Sequence, residues 1–163
     1  MRRISIKKVV YSVFLIISSC TNTSGVYPLS NDIYLWDVGT NKERIIVYCE
    51  KKMTSNTISA IPVVPSNEQY QENAQKCISE YVVSYSSNQD WLVAQTIASK
   101  DDMQNNRYWL LHFPRGNNTK KNDIQDSTIG PLDFLHLKNI MKKNNVPDSL
   151  MDKVLDRTNI NVD

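Results

Sequence analysis

The sequence is poor in glycine, histidine and cysteine, and its opposite charges nearly cancel. Its 163 residues include four glycines, two histidines and three cysteines, and its 19 Lys and Arg residues against 17 Asp and Glu residues give a formal net charge of +2. Loops that cradle phosphate need several glycines so that the backbone can approach the ligand, so a nucleotide-binding protein is disfavoured. The balanced charge also disfavours a basic nucleic-acid-binding domain. Hydrophobic residues, at 40%, are sufficient for the core of one small domain.

Sequence patterns for catalysis and metal binding are missing as well. There is no CxxC motif, and neither His112 nor His136 has a partner at a ligand spacing, so we expect no metal and no cofactor. Ser86 and Ser87 lack the Gly-x-Ser-x-Gly context of a nucleophile elbow. The sequence therefore predicts no catalytic residues and a protein that is not an enzyme. A hydrolase of the cell envelope is the least favoured alternative.

The one long hydrophobic run lies near the N-terminus. Val9 to Ile17 is an apolar segment of nine residues, too short to span a bilayer of roughly 30 Å as a helix. Four cations precede this segment: Arg2, Arg3, Lys7 and Lys8. This pattern predicts a secretory signal peptide over residues 1–19. The run ends in Ile17-Ser18-Ser19-Cys20, which resembles the lipobox of bacterial lipoproteins and implies a lipid on Cys20.

Removal of the signal peptide changes the charge of the protein. Four cations leave with the peptide, so the net charge falls from +2 to −2 and gives no reason to expect binding to nucleic acid. Residues 20–29 are then expected to form the lipidated cysteine and a polar tether to the domain. No Asp follows Cys20 as a retention signal, which favours a lipid anchor in the outer membrane, facing the periplasm.

Two further cysteines, Cys49 and Cys77, flank segments rich in strand-forming residues. In an oxidising compartment such a pair favours a disulfide, and closure of a loop of this size would add roughly 3 to 4 kcal/mol. Two separate buried thiols are the alternative, because spacing alone does not determine pairing geometry.

The rest of the chain predicts strands first and a helix last. Short β-rich runs alternate with turn-like residues up to Phe113, and the clearest hairpin joins 77–85 to 91–98. A long polar loop is expected over 115–127. The hydrophobic period then lengthens to about 3.6, which predicts a helix that ends at Val146-Pro147 and a second short helix up to about Arg157. We therefore expect an α+β domain over 30–157, with a small, mostly antiparallel sheet, a C-terminal helix packed on it, and a frayed tail over 158–163.

Aromatic residues are concentrated in the predicted strands. Neighbouring residues such as Tyr108 and Trp109 cannot both point inward from a sheet with one covered face, so some aromatic side chains should be solvent-facing. Exposed Trp and Tyr favour a protein partner. We select Trp36, Tyr85 and Trp109 as candidate partner-binding residues; burial of these aromatics in the core is the alternative.

Four segments of the sequence carry a family resemblance: 29–35, 88–95, 108–111 and the sequence Gly130-Pro131-Leu132 before a Lys-rich helix. Together they resemble a family of short, uncharacterised bacterial lipoproteins. The resemblance implies an α+β fold and a place in the cell envelope, and it supplies no catalytic residues. Together with Cys20 it leads us to expect a membrane-anchored binding domain with a protein partner in the envelope. An immunity or inhibitor protein against a toxin or a lysozyme-like enzyme is the alternative.

Overall fold

The computed structural model describes residues 25–30, 32–37, 44–49, 60–100, 103–113 and 120–156. Within these ranges the protein has the predicted α+β class, with eight strands and four helices. In chain order they are β1 (Gly25–Ser30), β2 (Ile33–Asp37), β3 (Arg44–Tyr48), β4 (Ile61–Val64), α1 (Asn67–Gln75), β5 (Ser79–Ser87), β6 (Trp91–Lys100), β7 (Met103–His112), α2 (Lys121–Asp126), β8 (Thr128–Leu132), α3 (Phe134–Lys143) and α4 (Asp148–Leu155). No helix in these ranges is both long enough and apolar enough to cross a membrane.

The strands form two antiparallel sheets instead of the single sheet expected from the sequence. Sheet A has the order β1-β2-β3-β4, and sheet B has the order β5-β6-β7-β8. Within each sheet every strand thus pairs with its neighbours along the chain, which is the commonest connection, whereas β4 and β5 lie in different sheets. Sheet A ends at β4, where Pro62 lacks the backbone N–H that an internal strand would donate. Helix α1 then leads from sheet A to sheet B.

The two sheets pack face to face, and two helices cover the far side of sheet B. Between the sheets, Leu35 and Ile46 of sheet A belong to the same buried cluster as Leu92 and Trp109 of sheet B. On the other face of sheet B, a second cluster joins strand residues to α3 and α4: Val93, Tyr108, Leu110, Leu137, Met141, Val146, Leu150, Met151 and Val154. Sheet B is therefore the middle of three layers.

Burial of sheet B on both faces overturns one expectation about the aromatics. Tyr108 and Trp109 are 7% and 0% exposed, because Tyr108 packs under the helices while Trp109 packs between the sheets. The prediction that Trp109 lies on a binding surface is wrong. Tyr85 is half-buried against the core between the sheets, and this burial raises the pKa of its hydroxyl.

The C-terminal helix starts later than the Gly-Pro-Leu sequence suggests. These three residues end strand β8, which pairs with β7 across a bulge at Trp109. Gly130 has φ +155°, and a Cβ there would lie 2.7 Å from Cδ2 of the Trp109 indole, so the close approach requires glycine. Helix α3 begins at Phe134, and the Asp133 side chain caps it by accepting a hydrogen bond from the His136 amide at 2.8 Å.

The ends of the predicted domain also differ from the structure. The expected tether reached residue 29, yet Gly25–Ser30 form an edge strand whose Tyr27 and Leu29 pack on the core between the sheets. Pro28 within this strand is compatible with an edge position. Helix α2 replaces the second half of the expected polar loop. The signal peptide, Cys20 and the frayed tail lie outside the described residues.

Removal of the Trp109 side chain tests this three-layer packing. We expect Trp109→Ala to lower the free energy of unfolding by about 3 to 5 kcal/mol, as for other large buried aromatics. Urea denaturation followed by circular dichroism measures this loss. Leu135→Ala, measured in the same dilute solution, is the control, because Leu135 is 67% exposed in the single chain and should change stability by less than about 0.5 kcal/mol. Equal effects of the two variants would contradict the burial of Trp109.

Candidate functional site

A groove with an apolar floor lies on the face of sheet A that points away from sheet B. Its floor follows from strand alternation, because Trp36 of β2 is opposite Ile45 of β3, and Val47 lies two residues further along the same face. Ile45 and Val47 are buried, whereas Trp36 is half-buried. Ile61 and Pro62 of β4 extend the floor. Trp36, one of the three candidate aromatics, thus lines this groove.

Helix α1 forms the wall of this groove. Asn67, Tyr70 and Gln71 have the i, i+3, i+4 spacing of one helix face, and all three line the groove. Lys121, the first residue of α2, completes the lining. The groove has a volume of about 300 Å³. Tyr70 is 40% exposed, so one aromatic ring of the groove remains accessible to a partner.

The groove combines an apolar floor with a polar rim. The described residues that line it include no carboxylate and no imidazole, and their titratable side chains are Tyr70 and Lys121. The apolar floor can bury a hydrophobic group. At the rim, the Asn67 and Gln71 amides can exchange hydrogen bonds with a backbone, and Lys121 can pair with an anionic group.

A second cavity continues the groove around the start of α1. It has a volume of about 290 Å³ and shares Pro62 and Asn67 with the groove. Its lining is more polar and includes two carboxylates, Glu68 of α1 and Asp126 of α2. The groove and this cavity together make a surface that is apolar at one end and acidic at the other.

Polar contacts hold the groove wall in place. Ser66 caps α1 by accepting a hydrogen bond from the Gln69 amide at 3.3 Å. One turn further on, the Gln69 side chain donates to Oδ1 of Asn73 at 2.8 Å, and Asn73 donates to Glu80 of β5 at 2.5 Å. Asn73 is the only described residue of α1 that is buried. The helix is therefore positioned by hydrogen bonds and has no broad apolar face.

Glu80 is the centre of this hydrogen-bond network. Its side chain is 1% exposed, and its two oxygens accept from Thr96 at 2.7 Å and from the Arg107 guanidinium at 2.8 Å. Thr96 in turn accepts from the Trp109 indole N–H at 3.0 Å. A buried carboxylate is stable only when it is both ion-paired and hydrogen-bonded. Glu80 is paired with Arg107 and accepts a hydrogen bond from Thr96. The network connects the groove wall to all three long strands of sheet B.

The two histidines lie outside the groove. His112 is half-buried and its ring contacts Trp91, with ring centroids 4.5 Å apart. The exposed His136 ring contacts the Asp133 carboxylate at 2.6 Å, and the backbone hydrogen bond from His136 is the main cause that lowers the pKa of Asp133. Asp133 lies three residues before His136 and caps helix α3, and this pairing was not predicted from the sequence. Among the described residues no group of three or more His, Cys, Asp or Glu side chains could hold a metal.

The structure does not join Cys49 to Cys77. Both thiols are free, which corresponds to the alternative of two separate cysteines, although only Cys49 is buried. Cys49 follows β3 and packs with Val47 on the outer side of sheet A. Cys77 is exposed after the end of α1, where its φ of +54° turns the chain toward β5. The expected disulfide is therefore not formed, and Cys77 instead lies where the chain turns from α1 toward β5.

Replacement of the central carboxylate tests whether the network positions α1. We expect Glu80→Gln to lower the free energy of unfolding by about 3 kcal/mol, because it leaves the Arg107 charge without its buried partner. Faster hydrogen exchange over 67–75 should accompany the loss, since a neutral amide oxygen accepts a weaker hydrogen bond from Asn73 than the carboxylate does and so loosens the anchor of α1.

Glu72→Gln is the matched control on the same helix. Glu72 is exposed and pairs with Lys76, and a solvent-exposed pair of this kind contributes little to stability. If Glu80→Gln and Glu72→Gln change exchange over 67–75 equally, the network does not position the helix.

Comparisons of the chain with protein-family models, with curated proteins and with solved structures find no match. The resemblance to the uncharacterised lipoproteins thus stays a prediction.

Proposed function

We propose that this protein is a non-enzymatic binding domain that is held at the cell-envelope membrane by a lipid on Cys20 and captures a protein partner in its groove. One observation carries the proposal: Trp36 and Tyr70 flank the apolar floor of the groove, and the described residues that line the groove include no carboxylate and no imidazole. Trp and Tyr are the residues that most often dominate binding energy at protein interfaces.

The size and the rim of the groove favour a protein partner. A volume of about 300 Å³ is at the lower limit of the range, roughly 300 to 1,000 Å³, in which small-molecule sites occur. It suits one apolar anchor side chain that projects from a larger surface. The Asn67 and Gln71 amides are placed to bond the backbone on either side of such an anchor.

Sequence and fold together support a position close to the membrane. Four residues separate Cys20 from the first residue of β1, Gly25, and the five steps between these two residues span at most about 18 Å. A domain tethered this closely would meet partners at the membrane surface and few in the bulk periplasm. The preferred location is the outer membrane, facing the periplasm.

Loss of the lipid site tests the location. We expect Cys20→Ser to move the protein from the membrane fraction to the soluble fraction, since a removed diacyl anchor leaves no apolar attachment of comparable strength. Cell fractionation and metabolic labelling with a fatty acid measure this change. Cys77→Ser is the control, because Cys77 is exposed in the folded domain and should leave the distribution unchanged. If Cys20→Ser and Cys77→Ser divide equally between the membrane and soluble fractions, the lipid anchor is refuted.

Site-specific photocrosslinking in native cells tests the partner. We expect a photoreactive residue at Gln71, inside the groove, to crosslink one envelope protein, and one at Gln75, exposed at the end of the same helix, not to do so. The purified crosslinked protein should then lose affinity for Trp36→Ala by about thirtyfold, which corresponds to a hot spot of about 2 kcal/mol.

Other outcomes separate the alternatives. A toxin or a lysozyme-like enzyme as the crosslinked protein would identify the immunity or inhibitor version of this function. Equal crosslinking from Gln71 and Gln75, or an unchanged affinity of Trp36→Ala, would refute the groove as the binding site.

A further inference from the structure

The outer surface of α3 and α4 carries apolar side chains that the domain leaves uncovered. Leu135 is 67% exposed, Leu155 45% and Phe134 39%, and these are three of the four large hydrophobic residues that are exposed among the described residues. The fourth, Tyr70, belongs to the groove. The opposite sides of both helices are buried against sheet B. This helix layer therefore presents a second surface, distant from the groove by the thickness of both sheets.

Charges on this surface are separated by sign. On α3, Leu135, Lys138 and Lys142 have the i, i+3, i+7 spacing of one exposed face, and α3 itself contains no Asp or Glu. On α4, Asp148 and Asp152 are exposed one turn apart. We name Lys138 and Lys142 the lysine row and Asp148 and Asp152 the aspartate row.

The charges of the two rows are available for an external partner. Within the described chain, no ion pair involves Lys142, Asp148 or Asp152. Lys138 lies over the Phe134 ring, 5.5 Å from its centroid. Lys153 of α4 follows Asp152 by one residue and so projects about 100° away around the helix. The aspartate row thus keeps a negative face.

We propose that the helix layer is the interface of a two-fold homodimer in which the lysine row of each copy lies on the aspartate row of the other. A two-fold interface must be self-complementary, since each contact occurs twice with the roles exchanged. The rows meet this condition, because each contains two charges one helical turn apart. Leu135, Leu155 and Phe134 would then be covered by the second copy.

A second copy fits this surface better than an anionic membrane does. A lipid surface of negative charge would attract the lysine row and repel the aspartate row beside it, whereas a second copy satisfies both. The helices have ten and eight residues and are about 15 and 12 Å long, so the interface is small and predicts a weak dimer. Confinement at a membrane would raise its occupancy.

Charge reversal with rescue tests this dimer. Two copies of the full chain with different affinity tags, each carrying a photoreactive residue at Leu135, are expressed together and irradiated in intact cells, so that a weak dimer is trapped at the membrane. The chains are then extracted in detergent and captured through one tag, and the recovered fraction of the other tag is measured. We expect Lys138→Asp with Lys142→Asp to reduce recovery at least tenfold, and Asp148→Lys with Asp152→Lys to do the same. Gln75→Lys on α1 is the control and should recover like the wild type.

Restored pairing distinguishes the interface from a folding defect. Co-expression of the two reversed chains with each other should recover at least half of the wild-type fraction, because each lysine row again meets an aspartate row. Absence of wild-type self-capture, or failure of this rescue, would overturn the dimer. Unchanged self-capture by the reversed chains would also overturn it, and a selective loss of binding to phosphatidylglycerol vesicles would then point to the membrane. The groove variants test the proposed function separately.

Discussion

Burial of sheet B on both faces is the constraint on which the rest of the structure depends. Its central strands, β6 and β7, contact sheet A through one set of alternating residues and the helices through the other, so 92–94 and 108–111 are continuous buried runs. A sheet covered on both sides leaves no room for an unpaired polar group. The polar side chains that the middle layer does contain must therefore bond one another.

This requirement connects the core to the candidate site. Glu80 and Thr96 lie in the middle layer, and their partners include Asn73 on α1, which forms the groove wall. Helix α1 is mostly polar and has one buried residue, so hydrophobic packing alone would hold it weakly. The same carboxylate that stabilises the buried network thus determines where Tyr70 stands relative to Trp36. A candidate site built in this way depends on residues that lie outside its own lining.

Local sequence patterns predicted most of the strands and helices, but they did not predict how these elements pack into three layers. The hairpin of β5 and β6 and the two C-terminal helices follow from turn residues and hydrophobic period, and the structure confirms them. The choice of two sheets, and hence the burial of Trp109, depends on packing between strands far apart in the chain. The groove could not be predicted for the same reason, because Glu80 bonds Thr96 and Arg107 at separations of 16 and 27 residues. Trp36 and Trp109 were selected on the same local signal, an aromatic residue in a strand, and only the packing of the layers places Trp36 in the groove and Trp109 in the core.

The layer order also separates the two surfaces that the protein offers. The groove lies on the outer side of sheet A and the helix layer on the far side of sheet B, so neither competes with the other for space. A dimer through the helices would leave both grooves open and would double the number of binding sites held at one place on the membrane. When two weak sites act on one partner assembly, the second contact forms at a high effective concentration. The proposed tethering and the proposed dimerisation therefore both support binding in the groove, because both compensate for the modest affinity that a site of about 300 Å³ can provide.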